Sequence, residues 1–493
     1  MDNLQLTIDL KVKDTLRKQF PKEGFYDNVS LKLVGQIGDD DIRFLSGYSS
    51  EEYFDEDLGC FEYLSDSVRW KSLDLDISEV FPDDGLNLND LREVKTLRSI
   101  ILPNGLEHVS WWYLLDDANI TTSSLVVSEG TKTINNDSFC KWKNLNDVSL
   151  PSTLEKISPD SFVGCNSLQA FNFPKGSQHF VVCNGVLFSS DKRILIAFPP
   201  ALKIEKYEIP EGTTVIAERA FKQNPFLEEI VIPASVVRIQ DFAFENCASL
   251  EWIGVHSENH FYYSRHGILY ENDVPALDFD HDEYSHSHLD RIICVPAALN
   301  IYELSLDNVL LAPRCFSGCR NIKSIRYEHC FHRIDGAFDG KNDIKEISFC
   351  LIDVLPRFYD CQALKKLNIR GSFSGELRRS IPSSKNLQEI NLEDNEDYVT
   401  VDGVVFTSDW ELIFYPPQKK DKKYIAPEKI KSITWHAFMY NPFLREVKLP
   451  SSFDLEKLKI DWHEEDSLKG SSDLIIETHH NTNIRLSITS DNY

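Results

Sequence analysis

The amino-acid sequence repeats itself with a period of about 23 residues, and this period constrains the fold more than any other feature. Segments 220–233 and 243–255 align without a gap at an offset of 23 residues. Each unit reads apolar-x-x-apolar-x-apolar, followed by a turn, an Ala-Phe pair and a Cys or Asn. One unit of this length cannot bury its apolar face alone, so neighbouring units must stack around a continuous core.

The strand pattern recurs along most of the chain. It begins at Trp70, Leu97, Thr122, Leu145, Leu168, Ile204, Leu227, Leu250, Ile322, Ile344, Leu364, Leu387 and Leu444. Two wide gaps each predict a degenerate turn, one near 293–296 and one near 424–427. The sequence therefore predicts a β-rich leucine-rich-repeat solenoid of about 15 turns of roughly 23 residues, with short helical or 3-10 turns between the strands.

A second module interrupts the repeat three times, at 184–191, 266–273 and 402–409. Each copy has a glycine in second position, then alternating apolar residues, then a polar turn. Because glycine readily adopts the positive φ that a tight hairpin needs, each copy predicts a β-hairpin. We expect three hairpin insertions that protrude from one edge of the solenoid.

The chain contains eleven cysteines, an odd number without paired spacing. Four of them occupy the same repeat position, namely Cys165, Cys247, Cys319 and Cys361. A small polarizable side chain suits a tight interior turn, so these positions predict packed free thiols and no disulfide framework. The Cys/His grouping at 315–332 fits the same repeat register, which favours packing over a zinc site there as well.

Acidic residues are concentrated at the N-terminus. The chain has 78 Asp and Glu against 52 Lys and Arg, for a net charge of −26. Residues 1–90 contain 21 acidic and 9 basic residues, a local net charge of −12. An open array needs polar caps at its ends, so we predict an acidic N-terminal cap with the first repeat at 1–90, a repeat array at 91–450 and a C-terminal cap at 451–493.

Several functional classes are disfavoured. A strongly acidic chain is not suited to bind nucleic acid or an anionic membrane surface. The sequence contains no run of 18 apolar residues, so we expect no membrane insertion. No phosphate-binding loop, dinucleotide fingerprint, nucleophile elbow or His-Glu-x-x-His motif occurs, so we expect a protein that is not an enzyme and needs no cofactor. Residues 1–9 lack the features of a signal peptide, which leaves a cytoplasmic protein or a processed mature chain as alternatives.

The segment 278–290 is the most suggestive of chemistry. Its carboxylates and imidazoles could bind a divalent metal ion, and the candidate ligands are Asp278, Asp280, Asp282, His286 and His288. A solvated hairpin loop is the simpler interpretation. The alternative function is a metal- or carbohydrate-binding protein that uses this loop and the aromatic residues of the hairpin.

The Ala-Phe-x-x-Cys-x-x-Leu-x-x-Ile-x-Ile-Pro unit and the Asp-Gly-Val-Val-Phe insertion resemble the BspA-like family of leucine-rich repeats over about 90–460. Segment 31–45 also resembles the N-terminal cap of such arrays in host-associated anaerobic bacteria. The resemblance implies a surface or secreted adhesion protein. It also implies a protein ligand, with host matrix and plasma proteins as candidates, and we expect a monomer.

The strand pattern predicts which side chains a ligand could reach. The third and fifth positions of each strand point outward, because side chains alternate along a strand. Glu229 and Arg326 occupy such positions, and Trp252 is the one large aromatic residue among them. With Phe261, Tyr262 and Tyr263 nearby in sequence, Trp252 predicts a binding patch, although packing between array and hairpin explains the same residues.

Overall fold

Two compact units make up the computed structural model, Met1–Ser249 (unit 1) and Leu250–Tyr493 (unit 2), and each is described by itself. The structure describes residues 3–13, 15–20, 24–46, 48–55, 60–65, 68–81, 94, 96–109, 121–136, 138–275, 288–330, 334, 336–340, 342–352, 354–356, 358, 361–373, 377, 385–434, 437–438, 441–454, 458–459, 474–477 and 483–486. Helical structure in this part of the chain is limited to α1 (Asp39–Ser46), residue 377 and the 3-10 turns Leu16–Gln19 and Pro159–Phe162.

Nineteen strands lie in the described residues of unit 1. They are β1 (Asn3–Leu10), β2 (Gly24–Gly35), β3 (Tyr48–Asp55), β4 (Cys60–Ser65), β5 (Val68–Val80), β6 (Leu97–Ile101), β7 (His108–Val109), β8 (Ser124–Val126), β9 (Thr133–Ile134), β10 (Asp147–Ser149), β11 (Lys156–Ile157), β12 (Phe171–Asn172), β13 (Phe180–Cys183), β14 (Val186–Ser189), β15 (Ile194–Ala197), β16 (Lys206–Glu208), β17 (Val215–Ile216), β18 (Glu229–Ile232) and β19 (Arg238–Ile239).

A parallel sheet of seven strands, β1-β2-β5-β6-β8-β10-β12, dominates unit 1. It begins at Asn3, well before Trp70, where the repeat pattern first appears in the sequence. Leu31 and Leu33 of β2 are buried in its core. Period-two alternation is therefore enough to extend the sheet where the turn residues of the repeat are missing.

In the part of unit 2 that the structure describes there are another nineteen strands. They are β20 (Trp252–Val255), β21 (Tyr262–Arg265), β22 (Ile268–Pro275), β23 (His288–Cys294), β24 (Glu303–Leu306), β25 (Leu310–Leu311), β26 (Ser324–Tyr327), β27 (Glu346–Phe349), β28 (Lys366–Arg370), β29 (Glu389–Glu393), β30 (Tyr398–Val401), β31 (Val404–Thr407), β32 (Glu411–Phe414), β33 (Lys423–Ile425), β34 (Ser432–Thr434), β35 (Glu446–Lys448), β36 (Leu458–Lys459), β37 (Leu474–Glu477) and β38 (Asn483–Leu486).

The parallel sheet β24-β26-β27-β28-β29 forms the regular part of unit 2. Its inward residues stack in register as a buried ladder, Ile325, Ile347, Leu367 and Ile390. The prediction of a degenerate turn at 293–296 is wrong in position, because those residues end β23 and follow it. The repeat strand of that turn is β24, whose residues Leu304 and Leu306 fill the inward positions.

All three hairpins are present, as β13–β14, β21–β22 and β30–β31. Both residues of each turn have positive φ, for example His266 at 53° and Gly267 at 81°. This conformation matches the twist of the flanking strands, which explains the glycine in the motif. A third strand follows each hairpin and joins a second ladder of short parallel strands, as β23 does with β25.

The structure confirms the leucine-rich-repeat solenoid of about 15 turns, in which helix is almost absent from the described residues. No described helix has the length and apolar character needed to cross a lipid bilayer. The division into caps at 1–90 and 451–493 around an array stays a prediction.

The cysteine position of the repeat is an interior hydrogen-bonding site. Cys165, Cys247 and Cys361 are buried, and each thiol donates to the carbonyl of the phenylalanine one turn earlier, over 3.0 Å from Cys247 Sγ to Phe221 O. Burial raises the pKa of the Cys247 thiol to about 12. The cysteines from Cys140 to Cys361 are free thiols.

Candidate interaction surface

The outward side of the sheet β24, β26, β27, β28 and β29 carries polar side chains in two columns, and we call this surface the polar face. In β27, Ile347 and Phe349 are buried whereas Glu346 and Ser348 remain accessible. The outward residues of the central strands are Ser324, Arg326, Glu346, Ser348, Lys366, Asn368, Glu389 and Asn391. The alternation of the repeat thus positions every second side chain where a ligand could reach it.

A hydrogen-bond network fixes the side chains at the centre of the polar face. Asn368 Nδ2 donates to Glu346 Oε1 over 2.8 Å and to Ser348 Oγ over 2.9 Å. Asn391 Nδ2 donates to Asn368 Oδ1 over 3.0 Å and to Glu389 Oε1 over 2.7 Å. Each amide orients its neighbour, so these side chains are ordered before any ligand arrives.

The residues at the third position of the strand pattern form one of the two columns, which we call the third-position column. Glutamate and lysine alternate there in Glu346, Lys366 and Glu389. Lys366 Nζ lies 3.8 Å from a carboxylate oxygen of Glu346 and 3.7 Å from one of Glu389. Lys423 of β33 pairs in the same way with Glu446 of β35. Opposite charges on adjacent strands stabilise the pairing and set a regular charge pattern on the surface.

The predicted site residues Glu229 and Arg326 both lie at outward positions. In unit 1, Glu229 forms an ion pair with Lys206, with 3.0 Å between Glu229 Oε1 and Lys206 Nζ, and this contact raises the pKa of the lysine. In unit 2, Arg326 pairs with Glu328 two residues further along the chain. Both side chains are already engaged, so each presents a charge pair to the surroundings.

Trp252 of β20 has an accessible aromatic side chain, at 46% exposure. A Cβ added to Gly267 would lie 2.9 Å from Trp252 Cε3, which places the indole directly against the hairpin turn. Phe261, immediately before β21, is 48% exposed. The structure thus combines packing against the hairpin with an accessible aromatic surface.

Tyr262 and Tyr263 have different environments although they are adjacent. Tyr262 is only 3% exposed and lies in the core, so it supports the hairpin without reaching its surface. The ring of Tyr263 stacks on Tyr270 with centroids 5.0 Å apart, and its hydroxyl donates to Asp290 Oδ2 over 2.7 Å. Burial, and then this bond, raise the pKa of Tyr263.

Four of the five candidate metal ligands, Asp278, Asp280, Asp282 and His286, lie outside the described residues. His288 is described and begins β23 at the surface. Among described residues, no group of three or more His, Cys, Asp and Glu side chains could hold a metal ion. The metal site stays a prediction.

Sequence reasoning positioned Asn368 and Asn391 on the outward face but missed their network. The available signal was an asparagine at the same repeat position in two successive turns. Matching residues at matching positions become neighbours in a parallel ladder, where amide side chains can bond to one another.

Comparisons with known proteins identify related repeats. A family model described as "BspA type Leucine rich repeat region" matches six copies, at residues 89–186, 196–265 and 299–374. A search of curated proteins found no match.

Similar solved structures include a leucine-rich repeat protein from Eubacterium ventriosum, at 19% identity and a TM-score of 0.35, which covers 76% of this chain and 88% of that one. The pneumococcal vaccine antigen PcpA is 16% identical with a TM-score of 0.34, covering 76% and 90%. A leucine-rich cell surface protein from Faecalibacterium prausnitzii is 15% identical with a TM-score of 0.28, covering 91% and 97%.

Proposed function

Because the chain belongs to the BspA-type leucine-rich repeat family, we propose that it is a non-enzymatic module that binds another protein through the polar face. Repeat arrays of this kind present extended surfaces built from residues at equivalent positions. The proposed partner class is an extracellular matrix or plasma protein of a host, and the proposed location is the cell surface or its exterior.

The observation that supports this proposal best is the network centred on Asn368. Association costs free energy for every side chain that becomes ordered at an interface, about 0.5–1.5 kcal/mol each. On the polar face, Asn368, Asn391 and Glu346 are already held by their neighbours. A partner that matches this pattern therefore binds without ordering these side chains again.

Trp252 and Phe261 are the proposed apolar anchors of the interaction. Exposed aromatic side chains carry a large share of the free energy of binding at interfaces, because they bury much area with few rotamers. Both are about half exposed, and Trp252 is supported from behind by Gly267. Tyr262 is excluded from this contact because its side chain is buried.

The test is surface plasmon resonance of the full chain against a panel of purified matrix and plasma proteins. We compare the wild type with Asn368→Lys, which places a bulky charge in the network, and with Asn166→Lys, which makes the same change in an exposed turn of unit 1. Asn368→Lys should weaken binding about tenfold or more, and Asn166→Lys should leave it within about twofold. Equal losses in both variants, or no binding across the panel, contradict the proposal.

A further inference from the structure

β24 is the first strand of its sheet, and its only strand partner within the described residues is β26. The preceding repeat strand, β20, forms hydrogen bonds along one edge with the second hairpin (β21–β22). Ile253 N donates to Gly267 O over 3.1 Å, and Ser264 Oγ donates to Ile253 O. The second hairpin thus covers the edge of β20, and no described strand covers the outer edge of β24.

The register of the ladder shows which backbone groups of β24 are unpaired. Lys323 N and Ser324 N donate to Tyr302 O, and Glu328 N donates to Leu306 O. In a parallel ladder, alternate residues bond to the same neighbour, so residues 302, 304 and 306 face β26. The N–H and C=O groups of Glu303 and Ser305 point the other way, and no described residue bonds to them.

A cavity of about 460 Å³ lies beside this edge. One wall is β24 with the residues that follow it, and the other is the hairpin, where Tyr263, Arg265 and Tyr270 face the cavity. Ile301 and Val309 contribute apolar surface to the lining. At about 3.3 Å per residue, the four residues of β24 offer an edge of roughly 13 Å, the length of a four-residue strand.

The charge pattern of the third-position column is incomplete at this edge. Four glutamates at the third position of other strands, Glu229, Glu346, Glu389 and Glu446, each pair with a lysine on a neighbouring strand of their own sheet. Glu303 has the uncharged Ser324 as its neighbour on β26, and no described Lys or Arg pairs with it. Asp290 and Asp307 outnumber Arg265 among the charged lining residues, so a basic group is favoured.

We propose that this cavity binds an extended basic segment of a partner protein, which adds a strand to the edge of β24 and places a lysine or arginine opposite Glu303. Unpaired strand edges bind peptides through main-chain hydrogen bonds, and side chains at alternate positions give specificity. The edge site shares β24 with the polar face, but it uses the backbone edge of that strand and Glu303 and does not use the network of Asn368, so each proposal can fail without the other.

The test measures fluorescence anisotropy of a labelled, capped eight-residue peptide of alternating lysine and valine with the full chain near physiological salt. We expect saturable binding of this peptide. Binding should be lost when the peptide is N-methylated along the edge that bonds to β24, and it should be about tenfold or more weaker for a peptide of alternating glutamate and valine. On the protein, Ser305→Pro removes the edge N–H and should weaken binding about tenfold, whereas Ser305→Ala keeps it and should bind within about twofold.

A charge control separates recognition at Glu303 from the general attraction of an acidic chain. Glu303→Lys should weaken the lysine peptide about tenfold, and Glu211→Lys, an equal change at an exposed turn, should alter binding less than about twofold. Absence of saturable binding up to about 1 mM, unchanged binding of the N-methylated peptide, or equal losses in the two lysine variants overturns the proposal. So does a wild-type dimer that Ser305→Pro abolishes, since the edge would then pair with a second copy.

Discussion

Asn441 Nδ2 donates a hydrogen bond to the carbonyl oxygen of Pro416 over 2.8 Å, from a side chain that is completely buried. Its Oδ1 accepts from the N–H of Leu444 over 2.9 Å. Asn224 makes the same contacts in unit 1, with Pro199 and Leu227. In both cases, the asparagine occupies the cysteine position of the repeat in the turn after a Pro-Pro pair. Its amide nitrogen donates hydrogen bonds to at least two carbonyl oxygens there, whereas a thiol can donate only one.

Asn224→Ala should therefore destabilise the protein by about 2–4 kcal/mol, because buried backbone groups lose their partners. Asn224→Cys should have an intermediate effect, since a thiol can donate to only one carbonyl. The measurement is denaturant unfolding, with Asn172→Ala on an exposed strand residue as the control, expected to change stability by less than about 0.5 kcal/mol. Equal effects of the two alanine variants would refute this role.

The sequence contained the elements of this contact but not the contact itself. Asn-Pro-Phe-Leu occurs at 224–227 and 441–444, and each copy follows a Pro-Pro pair by the same interval. The repeat period predicts that such positions are neighbours, which is why the solenoid and its free thiols were predictable. Which carbonyls an amide reaches depends on the backbone of the preceding hairpin, and strand periodicity carries no information about that.

The N-terminal strands and β24 show a second limit of sequence reasoning. β1 and β2 pair by period-two alternation without the Ala-Phe turn, and β24 follows a hairpin that shifts the spacing. A search for the full repeat misses both. Likewise, the hairpin at Gly267 was predictable from its motif, but its position against Trp252 depends on tertiary packing.

Gly267→Ala should destabilise unit 2 more than Gly212→Ala destabilises unit 1. Both glycines have positive φ, 81° and 94°, and so incur a similar backbone cost of about 1 kcal/mol. Only at Gly267 would the new Cβ contact Trp252, at 2.9 Å, whereas Gly212 faces open space. We expect about 1–3 kcal/mol of additional loss at Gly267 in thermal or denaturant unfolding.

A double-mutant cycle tests the cause of that difference. In a Trp252→Ala background, Gly267→Ala should cost about as much as Gly212→Ala, because the clash is absent. If the two substitutions at 252 and 267 are additive, the indole does not lie against the turn as described.

Stability should fall as the pH rises above about 8.5. Burial raises the folded-state pKa of Cys247 to about 12, whereas an unfolded cysteine titrates near 8.5. Its contribution is complete below the unfolded pKa and is lost between about pH 8.5 and 12, at up to about 1.4 kcal/mol per pH unit. Denaturant unfolding from pH 7 to 10 should show this slope, and Cys247→Ala should make it shallower by the share of this one thiol, because Cys319 contributes over the same pH range. An unchanged slope in that variant contradicts the assignment.

The buried thiol of Cys319 should resist modification in the folded protein. Burial raises its pKa to about 12, so almost none of it is thiolate at pH 8. Site-resolved alkylation with iodoacetamide, read by mass spectrometry, should label Cys319 at least about a hundredfold more slowly than the same cysteine in denaturant. Half-buried Cys183 is the internal comparison and should react faster. Equal rates at the two sites would contradict the interior position of the repeat cysteine.

The central claim, that the polar face is the binding surface, is tested most directly by photo-cross-linking to the matrix or plasma protein selected by the binding panel. A benzoylphenylalanine replaces either Arg326, which is exposed on the polar face, or Glu211, which is exposed in a turn of unit 1. The account predicts a cross-linked product from position 326 and none from position 211. A product from position 211 with none from position 326 would contradict it.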